Sequence, residues 1–286
     1  MPEFPTAWIT GAGGLIGGYL ARSAAQFAPG RQVIPLTRGE LDLTDAAAVR
    51  TRFRREQPKL VIHCAALSRS PACQADPALA RQLNVEVTAR LADLAAESRF
   101  LLFSSDLVFD GRKGSAYVEA DATNPLSIYG ETKVAAEQLV LANPRHLVVR
   151  TSLNGGASPA GDRGFNEELR RAWQAGQVPK LFGDEFRCPI PAAATARATW
   201  ELALSDCAGL YHVAGSERLA RWDIGRLVAE RCPELQPRFE AASVKDYRGA
   251  PRPQDTSLDC GKAQAVLSFP LPALSRWLAE NPAEPF

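Results

Sequence analysis

Short apolar runs alternate with longer segments of helical periodicity in the first half of the chain. The runs are rich in aliphatic and aromatic residues, as buried strands are, and a helix-forming segment follows most of them. The predicted strands lie at 7–10, 32–36, 59–62, 99–103 and 146–150, and the predicted helices at 15–26, 44–55, 77–96 and 128–142. Thr44 is a suitable cap for the second helix. This alternation predicts an α/β fold with a Rossmann-type, doubly wound parallel sheet.

The regular alternation ends near residue 150. A loop at 155–161 precedes an amphipathic segment at 165–174 that is predicted to be helical, and the apolar run 209–215 is predicted to add a strand to the main sheet. We therefore expect an NAD(P)-binding Rossmann domain at 1–150 and a smaller C-terminal substrate domain at 151–286. Segments at about 192–215 are expected to return to the Rossmann sheet.

A glycine-rich turn separates the first predicted strand from the first predicted helix. Gly11, Gly14 and Gly17 follow the spacing G-x-x-G-x-x-G. Such glycines form a tight turn, admit a pyrophosphate close to the backbone and let the helix pack on the strand, while the helix N-terminus attracts the diphosphate. Because the turn opens an α/β series, we predict a dinucleotide site here and not a turn of purely structural value.

The residues after the second predicted strand bear on the choice of cofactor. Where an acid would bind the adenosine ribose hydroxyls, about 20 residues beyond the turn, the chain has Thr37 and Arg38. A guanidinium suits a 2′-phosphate, so NADP is the preferred cofactor and NAD the second choice. The alternative is that Arg38 is a solvated loop residue, and the nearby Glu40 complicates the preference.

Tyr129 and Lys133 are four residues apart in a predicted helix. Residues with this spacing share a helix face, so the phenol and the ammonium can point into one cleft. A free tyrosine has a pKa of about 10, and a neighbouring lysine lowers it toward the working range of an acid–base group. Ser104 and Ser105 end the fourth predicted strand, and parallel sheets bind ligands at the carboxyl ends of their strands. A surface Tyr-Lys pair is the alternative.

These motifs resemble the extended short-chain dehydrogenase/reductase superfamily, and within it the dTDP-4-dehydrorhamnose reductase family, over nearly the whole chain. The glycine turn is similar to that family's cofactor loop, and 41–45 to the segment that flanks the adenine. Residues 104–111 resemble its Ser-Thr-Asp-Tyr-Val-Phe-x-Gly, and 129–133 its Tyr-Gly-x-Thr-Lys. The resemblance implies that Ser105, Tyr129 and Lys133 are catalytic. The cofactor-binding residues that we predict are Gly11, Gly14, Leu15, Ile16, Gly17, Arg38, Asp42, Leu43, Ala65, Ala66, Ser104, Tyr129 and Lys133.

The reaction implied by the resemblance is reduction of a keto group, at C4 of a nucleotide-activated deoxysugar. NADPH would supply the hydride, Tyr129 the proton, and Ser105 a hydrogen bond to the carbonyl. A sugar-nucleotide dehydratase is disfavoured, because the second acid expected after the catalytic hydroxyl is missing. Two alternatives remain: an NDP-sugar 4-epimerase, and a non-catalytic regulatory subunit similar to that of methionine adenosyltransferase.

Several positions depart from the family pattern. His63 and Cys64 replace Asn-Ala, Leu107 replaces Tyr, Leu153 replaces Trp, and 187–190 replaces Gly-x-Pro-Thr. The cofactor chemistry therefore carries over, whereas the identity of the substrate does not.

Some polar residues are open to two interpretations. Arg187 and Arg252 are candidates for binding a diphosphate, with salt-bridged or solvated arginines as the alternative. His63 can contact nucleotide or be structural, and His212, on an apolar strand, is expected to be a core residue and not a catalyst.

Composition limits the partners. With 33 basic and 32 acidic residues the net charge is +1, so no general field for nucleic acid is expected. No apolar run approaches the ~18 residues of a membrane span, and the N-terminus leaves no room for a signal peptide. Six scattered cysteines, without C-x-x-C or metal-ligand spacing, predict reduced thiols and no metal site. We expect a cytoplasmic protein with a small-molecule substrate, as a homodimer.

Overall fold

The computed structural model describes residues 5–286. The N-terminal segment that is predicted to leave no room for a signal peptide begins at Met1, so its first four residues lie outside the described residues. The strands in chain order are β1 Thr6–Thr10, β2 Gln32–Leu36, β3 Leu60–His63, β4 Arg99–Ser105, β5 Leu147–Thr151, β6 Asn154–Gly155, β7 Lys180–Phe182, β8 Phe186–Arg187, β9 Ile190–Pro191, β10 Gly209–Val213, β11 Leu219–Ala220 and β12 Glu240–Ala242. The α-helices are α1 Leu15–Phe27, α2 Ala46–Glu56, α3 Ser70–Ala75, α4 Pro77–Arg81, α5 Val87–Leu94, α6 Ile128–Leu141, α7 Phe165–Gln174, α8 Ala192–Leu204, α9 Arg221–Glu230, α10 Gly261–Gln264 and α11 Leu274–Glu280.

Six of the strands form the central sheet in the order β10-β5-β4-β3-β1-β2, and every pairing in it is parallel. The chain reverses its direction of winding between β1 and β3, so their carboxyl ends border a crevice of the kind that binds ligands in such sheets. The prediction of a Rossmann-type, doubly wound parallel sheet is confirmed. β10 pairs with β5, as the apolar run in the C-terminal half predicts.

Helices cover both faces of the sheet because its central strands are apolar on both sides. Helices α1 and α8 bury one face, with Leu20 and Trp200 among the residues of that core. Helices α2, α5 and α6 bury the other face, with Phe53, Leu91 and Val140. A separate apolar core lies among α7, α9 and α11 in the C-terminal half. Within residues 5–286, no helix is long and apolar enough to cross a membrane.

Two predicted helices differ from those observed. The second begins at Ala46, and its cap is Asp45 and not Thr44, because the Asp45 carboxylate accepts the N–H groups of Ala47 and Ala48. The helix predicted at 77–96 is divided into α4, a π-helical turn at Gln82–Glu86 and α5, which ends at Leu94. Tertiary hydrogen bonds hold this turn, since the Asn84 side chain bonds the backbone N–H and C=O of Leu67.

The contact between α8 and α1 gives a test of this core. Trp200 is fully buried, and its Nε1 lies 3.3 Å from the Leu20 carbonyl oxygen and 3.2 Å from Ser23 Oγ. We expect Trp200→Ala to lower the free energy of unfolding in urea by about 3–5 kcal/mol, because it leaves a large cavity. Leu204→Ala, at the exposed end of the same helix, is the control and should change it by less than about 0.5 kcal/mol. Equal effects of the two substitutions would contradict this assignment.

Candidate active site

The glycine turn between β1 and α1 packs against the segment that follows β3. Gly11 has φ +71°, and a Cβ at this position would lie 2.6 Å from the backbone nitrogen of Ala65. Only glycine fits both the left-handed backbone and this close approach. Ala65 and its neighbour Ala66 are thus placed beside the turn, as a shared cofactor site requires.

The N-terminus of α1 is open to an anion. Gly14 is its N-cap residue and supplies no side-chain cap, and the first turn contains no acid. The backbone N–H groups of Leu15, Ile16 and Gly17 therefore remain available at the positive end of the helix. The residues present fit the diphosphate of a dinucleotide, which helix N-termini of this kind bind.

Arg38 and Asp42 lie in the exposed segment after β2. Glu40, the acid that complicated the cofactor preference, accepts the backbone N–H of Thr37 at 2.7 Å and its hydroxyl at 2.8 Å. Asp42 accepts from the Thr44 backbone N–H and hydroxyl, and these two bonds, helped by the Arg38 charge, lower its pKa. Leu43 is half-buried beside Asp42. Because Glu40 is bonded to Thr37, the guanidinium of Arg38 is left to face solvent.

Ser105 and Tyr129 are neighbours where β4 ends and α6 begins, and Lys133 lies one turn further along α6. The start of α6 is capped by the Ser127 hydroxyl, which accepts the N–H of Gly130. A Cβ at Gly130 would overlap the carbonyl oxygen of Leu107, so the helix approaches the turn after Ser105 as closely as a glycine permits. This contact brings the phenol of Tyr129 beside Ser105.

Tyr129 is buried and in its protonated form. Its side chain is 9% exposed. Burial and the nearby Asp106 carboxylate raise its pKa above the ordinary value, and the Ser105 side chain partly opposes that rise. A phenol that stays protonated at neutral pH has the form that a proton donor needs.

Lys133 is also buried, at 2% exposure. Burial lowers its pKa to about 8, against the opposing influence of Glu137 and Cys64. Among residues 5–286 its ammonium has no hydrogen-bond or ion-pair partner, which suits a group that holds a ligand hydroxyl. The sequence argument predicts that Lys133 lowers the pKa of Tyr129. In the structure, burial and the Asp106 carboxylate raise this pKa instead.

Ser104 and His63 are turned to the interior. Ser104 Oγ donates to Glu137 Oε1 at 2.5 Å, so its side chain does not face the crevice. The two ring nitrogens of His63 lie 2.7 Å from Thr10 Oγ1 and 3.1 Å from Thr88 Oγ1, and burial lowers its pKa to about 3. His63 is therefore a neutral structural residue, and its nucleotide-contact interpretation is not supported.

The two candidate diphosphate arginines are paired internally. Arg187, 2% exposed, has Nη2 3.0 Å from Glu185 Oε1, and Arg252 donates to both oxygens of the same carboxylate at 2.6 and 2.8 Å. The three arginines around Glu185, including Arg221, lower its pKa to about 2. For both residues the salt-bridged alternative is the one observed.

Sequence reasoning missed three buried charged residues at this site. Asp106 accepts the Ser105 hydroxyl at 3.1 Å, and Glu137 accepts Arg150 Nε at 2.9 Å and Nη2 at 2.7 Å. The available signal was spacing, because Asp106 follows Ser105 and Glu137 is four residues beyond Lys133 on the same helix face. His212, by contrast, is the core residue expected, with Nδ1 3.1 Å from the carbonyls of Tyr117 and Asp259.

The sheet order, the glycine turn and the Tyr-x-x-x-Lys pair define a protein of the extended short-chain dehydrogenase/reductase class. The chain belongs to the RmlD substrate binding domain family, which matches it over residues 6–283. The probable low-salt glycan biosynthesis reductase Agl14 of Haloferax volcanii is 30% identical over 96% of both chains. The dTDP-4-dehydrorhamnose reductase of Mycobacterium tuberculosis is 32% identical over 87% of this chain and 83% of its own.

The fold is also that of a solved relative. The structure of dTDP-4-dehydrorhamnose reductase from Bacillus anthracis in complex with NADP has a TM-score of 0.87 to this chain, at 21% identity. The match covers 96% of this chain and 98% of that one. The described fold thus extends over the whole of that enzyme, including its C-terminal half.

The buried ammonium of Lys133 makes a prediction about stability. From pH 8 to 10.5 the unfolded chain keeps a lysine proton that the folded chain has lost, so this residue makes stability rise with pH in that window. We expect Lys133→Met to increase the free energy of unfolding at pH 7 by about 3 kcal/mol, and the gain to shrink toward pH 10. Urea denaturation across pH measures this. Lys59→Met, which removes a lysine at an exposed position, is the matched control. A Lys133→Met protein less stable than the parent at pH 7 would contradict the prediction.

Proposed function

We propose that this protein reduces the C4 keto group of a nucleotide-activated deoxysugar with NADPH, with NADH as a weaker substitute. The observation that carries the proposal is the buried, protonated phenol of Tyr129, placed beside Ser105 at the edge of the sheet where the glycine turn also lies. Two relatives at 30% identity or more are named as reductases, one of them for dTDP-4-dehydrorhamnose.

The residues divide the chemistry among them. The bound cofactor supplies the hydride. Tyr129 donates its proton to the carbonyl oxygen, and Ser105 hydrogen-bonds that oxygen and supports the charge that develops on it. Lys133, with a buried ammonium and no protein partner among residues 5–286, holds the nicotinamide ribose.

The cofactor half and the substrate half have distinct parts in the proposal. Residues 1–150 hold the dinucleotide, with Gly11, Gly14, Leu15, Ile16 and Gly17 at the diphosphate. Arg38, Asp42 and Leu43 lie toward the adenosine, and Ala65, Ala66 and the backbone of Ser104 line the crevice. Residues 151–286 form the substrate half, apart from the segment of about 192–215, which serves the Rossmann sheet. We further infer a cytoplasmic homodimer, since two-fold dimers are the commonest oligomers.

The direct test follows oxidation of NADPH by absorbance with freshly prepared dTDP-4-dehydrorhamnose. We expect Tyr129→Phe to lower turnover by about 10²-fold or more, because a positioned general acid contributes that much. Tyr211→Phe, on β10 and distant from the crevice, is the control with near-normal turnover. Normal turnover by Tyr129→Phe would remove this residue from the acid role.

The absorbance assay, together with dialysis of the purified protein, separates the alternatives. A regulatory subunit would bind NADPH without oxidising it, and an epimerase would retain its nucleotide through dialysis. Either outcome would overturn the reductase proposal.

Arg38 determines the cofactor preference in this proposal. We expect Arg38→Ala to reduce the ratio of kcat/KM for NADPH to that for NADH by about 10-fold or more, because a charge-assisted bond to a 2′-phosphate contributes about 1.5–3 kcal/mol. Steady-state kinetics with both cofactors measure the ratio. Arg54→Ala, a basic residue in α2 with no ion-pair partner among residues 5–286, is the charge-matched control. An unchanged ratio in Arg38→Ala would assign the preference elsewhere.

A further inference from the structure

Asp106 is a buried carboxylate next to the proposed acid. It is 4% exposed, and its Oδ1 accepts the Ser105 hydroxyl at 3.1 Å. Ser105 Oγ in turn accepts the backbone N–H of Leu107 at 3.2 Å. A serine has one proton and two lone pairs. With its proton on Asp106 and one lone pair on Leu107, Ser105 has a single lone pair left for the Tyr129 hydroxyl.

Asp106 has further polar partners on its second carboxylate oxygen. Its Oδ2 accepts the hydroxyls of Ser152 at 2.7 Å and Thr256 at 3.2 Å. Arg187 Nε lies 3.6 Å from the same oxygen, and both side chains of this ion pair are at most 5% exposed. Arg187 thus places a positive charge beside a carboxylate that hydroxyl groups otherwise hold.

Arg187 connects Asp106 to a larger cluster of charged side chains. Three arginines, Arg187, Arg221 and Arg252, surround Glu185. Glu185 and Asp106 are the two carboxylates that face these arginines, and Arg187 contacts both of them. Arg187 occupies a position where the dTDP-4-dehydrorhamnose reductase pattern has glycine, so this arrangement is a property of this chain.

The charged and titratable groups around Tyr129 come from four elements. Asp106 approaches from the turn after β4, the Cys73 thiol from α3, and both disfavour the phenolate. Lys133 lies one turn along α6, with its charge near His63, Cys64 and Glu137. Ser105 is the polar neighbour that links Tyr129 to Asp106. Asp106 is therefore the carboxylate that raises the pKa of the phenol.

We propose that Asp106, ion-paired with Arg187, is a positioning residue: it accepts the Ser105 hydroxyl, and its charge beside the phenol keeps Tyr129 in the protonated form from which a reductase starts each cycle. The inference rests on the proposed function. In the transfer the O–H bond of Tyr129 breaks and an O–H bond forms on the substrate oxygen, which has received the negative charge of the hydride. A phenolate beside Asp106 is costly until it is reprotonated from solvent, so the resting site returns to the acid form.

The arrangement also permits Ser105 to serve the substrate. When Ser105 turns its proton from Asp106 to the carbonyl oxygen, Asp106 keeps the hydroxyls of Ser152 and Thr256 and the Arg187 cation. The carboxylate thus loses one of four polar partners and stays compensated, so this exchange costs little.

The test replaces the carboxylate with its uncharged near-isostere, Asp106→Asn. Tyr129 is replaced by 3,5-difluorotyrosine, whose lower intrinsic pKa brings the titration into the range where the protein is folded. Its ¹⁹F resonance is followed against pH in the protein without cofactor or substrate. We expect the titration midpoint to fall by about one pH unit or more in Asp106→Asn, because a like charge is removed from the neighbourhood of the phenolate.

Ser152→Ala is the matched control, since it removes one hydrogen bond to Asp106 and leaves the charge. We expect its midpoint to equal that of the parent protein. If Asp106→Asn does not fold, the double variant Asp106→Asn with Arg187→Met removes both buried charges together and should show the same fall. An unchanged midpoint in the folded variant, or an equal fall in Ser152→Ala, would overturn the proposal. Because this titration needs no turnover, its result is independent of whether the reductase assay succeeds.

Discussion

The buried ion pair between Glu137 and Arg150 is the interaction on which the site depends. Both side chains are 4% exposed and form two hydrogen bonds, and Ser104 adds a third to the carboxylate. Arg150 belongs to β5, Ser104 to β4 and Glu137 to α6. The Glu137 carboxylate therefore joins helix α6 to two adjacent strands of the sheet. Arg150 Nη1 also reaches His212 on β10 at 3.4 Å. Loss of either partner would leave an uncompensated charge in the interior, which costs far more than the pair contributes.

Charge compensation decreases along one face of α6, from the Glu137–Arg150 ion pair toward the crevice. Glu137 is paired with Arg150. Lys133, one turn earlier, has the nearby Glu137 and Cys64 to oppose the effect of its burial, and Tyr129, one further turn away, is neutral. A phenol that stays protonated suits proton donation, and a buried ammonium whose pKa is about 8 suits ligand binding. The same helix face thus anchors the fold at one end and keeps reactive groups at the other.

Local sequence predicted much of this arrangement and missed what depends on distant residues. The apolar runs identified the six strands of the sheet, and the spacing of Tyr129 and Lys133 identified one helix face. The ends of elements were harder, because Asp45 rather than Thr44 caps α2 and because Asn84 bonds Leu67 to create the π turn. Neither competition between two adjacent caps nor a bond across 17 residues appears in local periodicity.

The ion pairs of the arginines are a second feature that local sequence could not predict. Arg187 and Arg252 suited a diphosphate by residue type, yet Glu185, which is fully buried, draws both of them inward. A buried carboxylate must be compensated before any exposed ligand can compete for its partners. The prediction could not weigh this, because Glu185, Arg221 and Arg252 are brought together only by the fold of the C-terminal half.

The departures from the family pattern fall into two groups with different consequences. Leu107 packs with Tyr129, Leu67 and Ile128, so an apolar side chain stands where the dTDP-4-dehydrorhamnose reductase pattern has a phenol. Leu107 is thus an apolar neighbour of Tyr129, whose pKa is raised by burial. Leu153 packs into the apolar core of the C-terminal half, and Arg187 joins the buried cluster beside Asp106. The departure nearest Tyr129 is therefore an apolar packing residue, and the departures at 153 and 187 alter the interior of the C-terminal half.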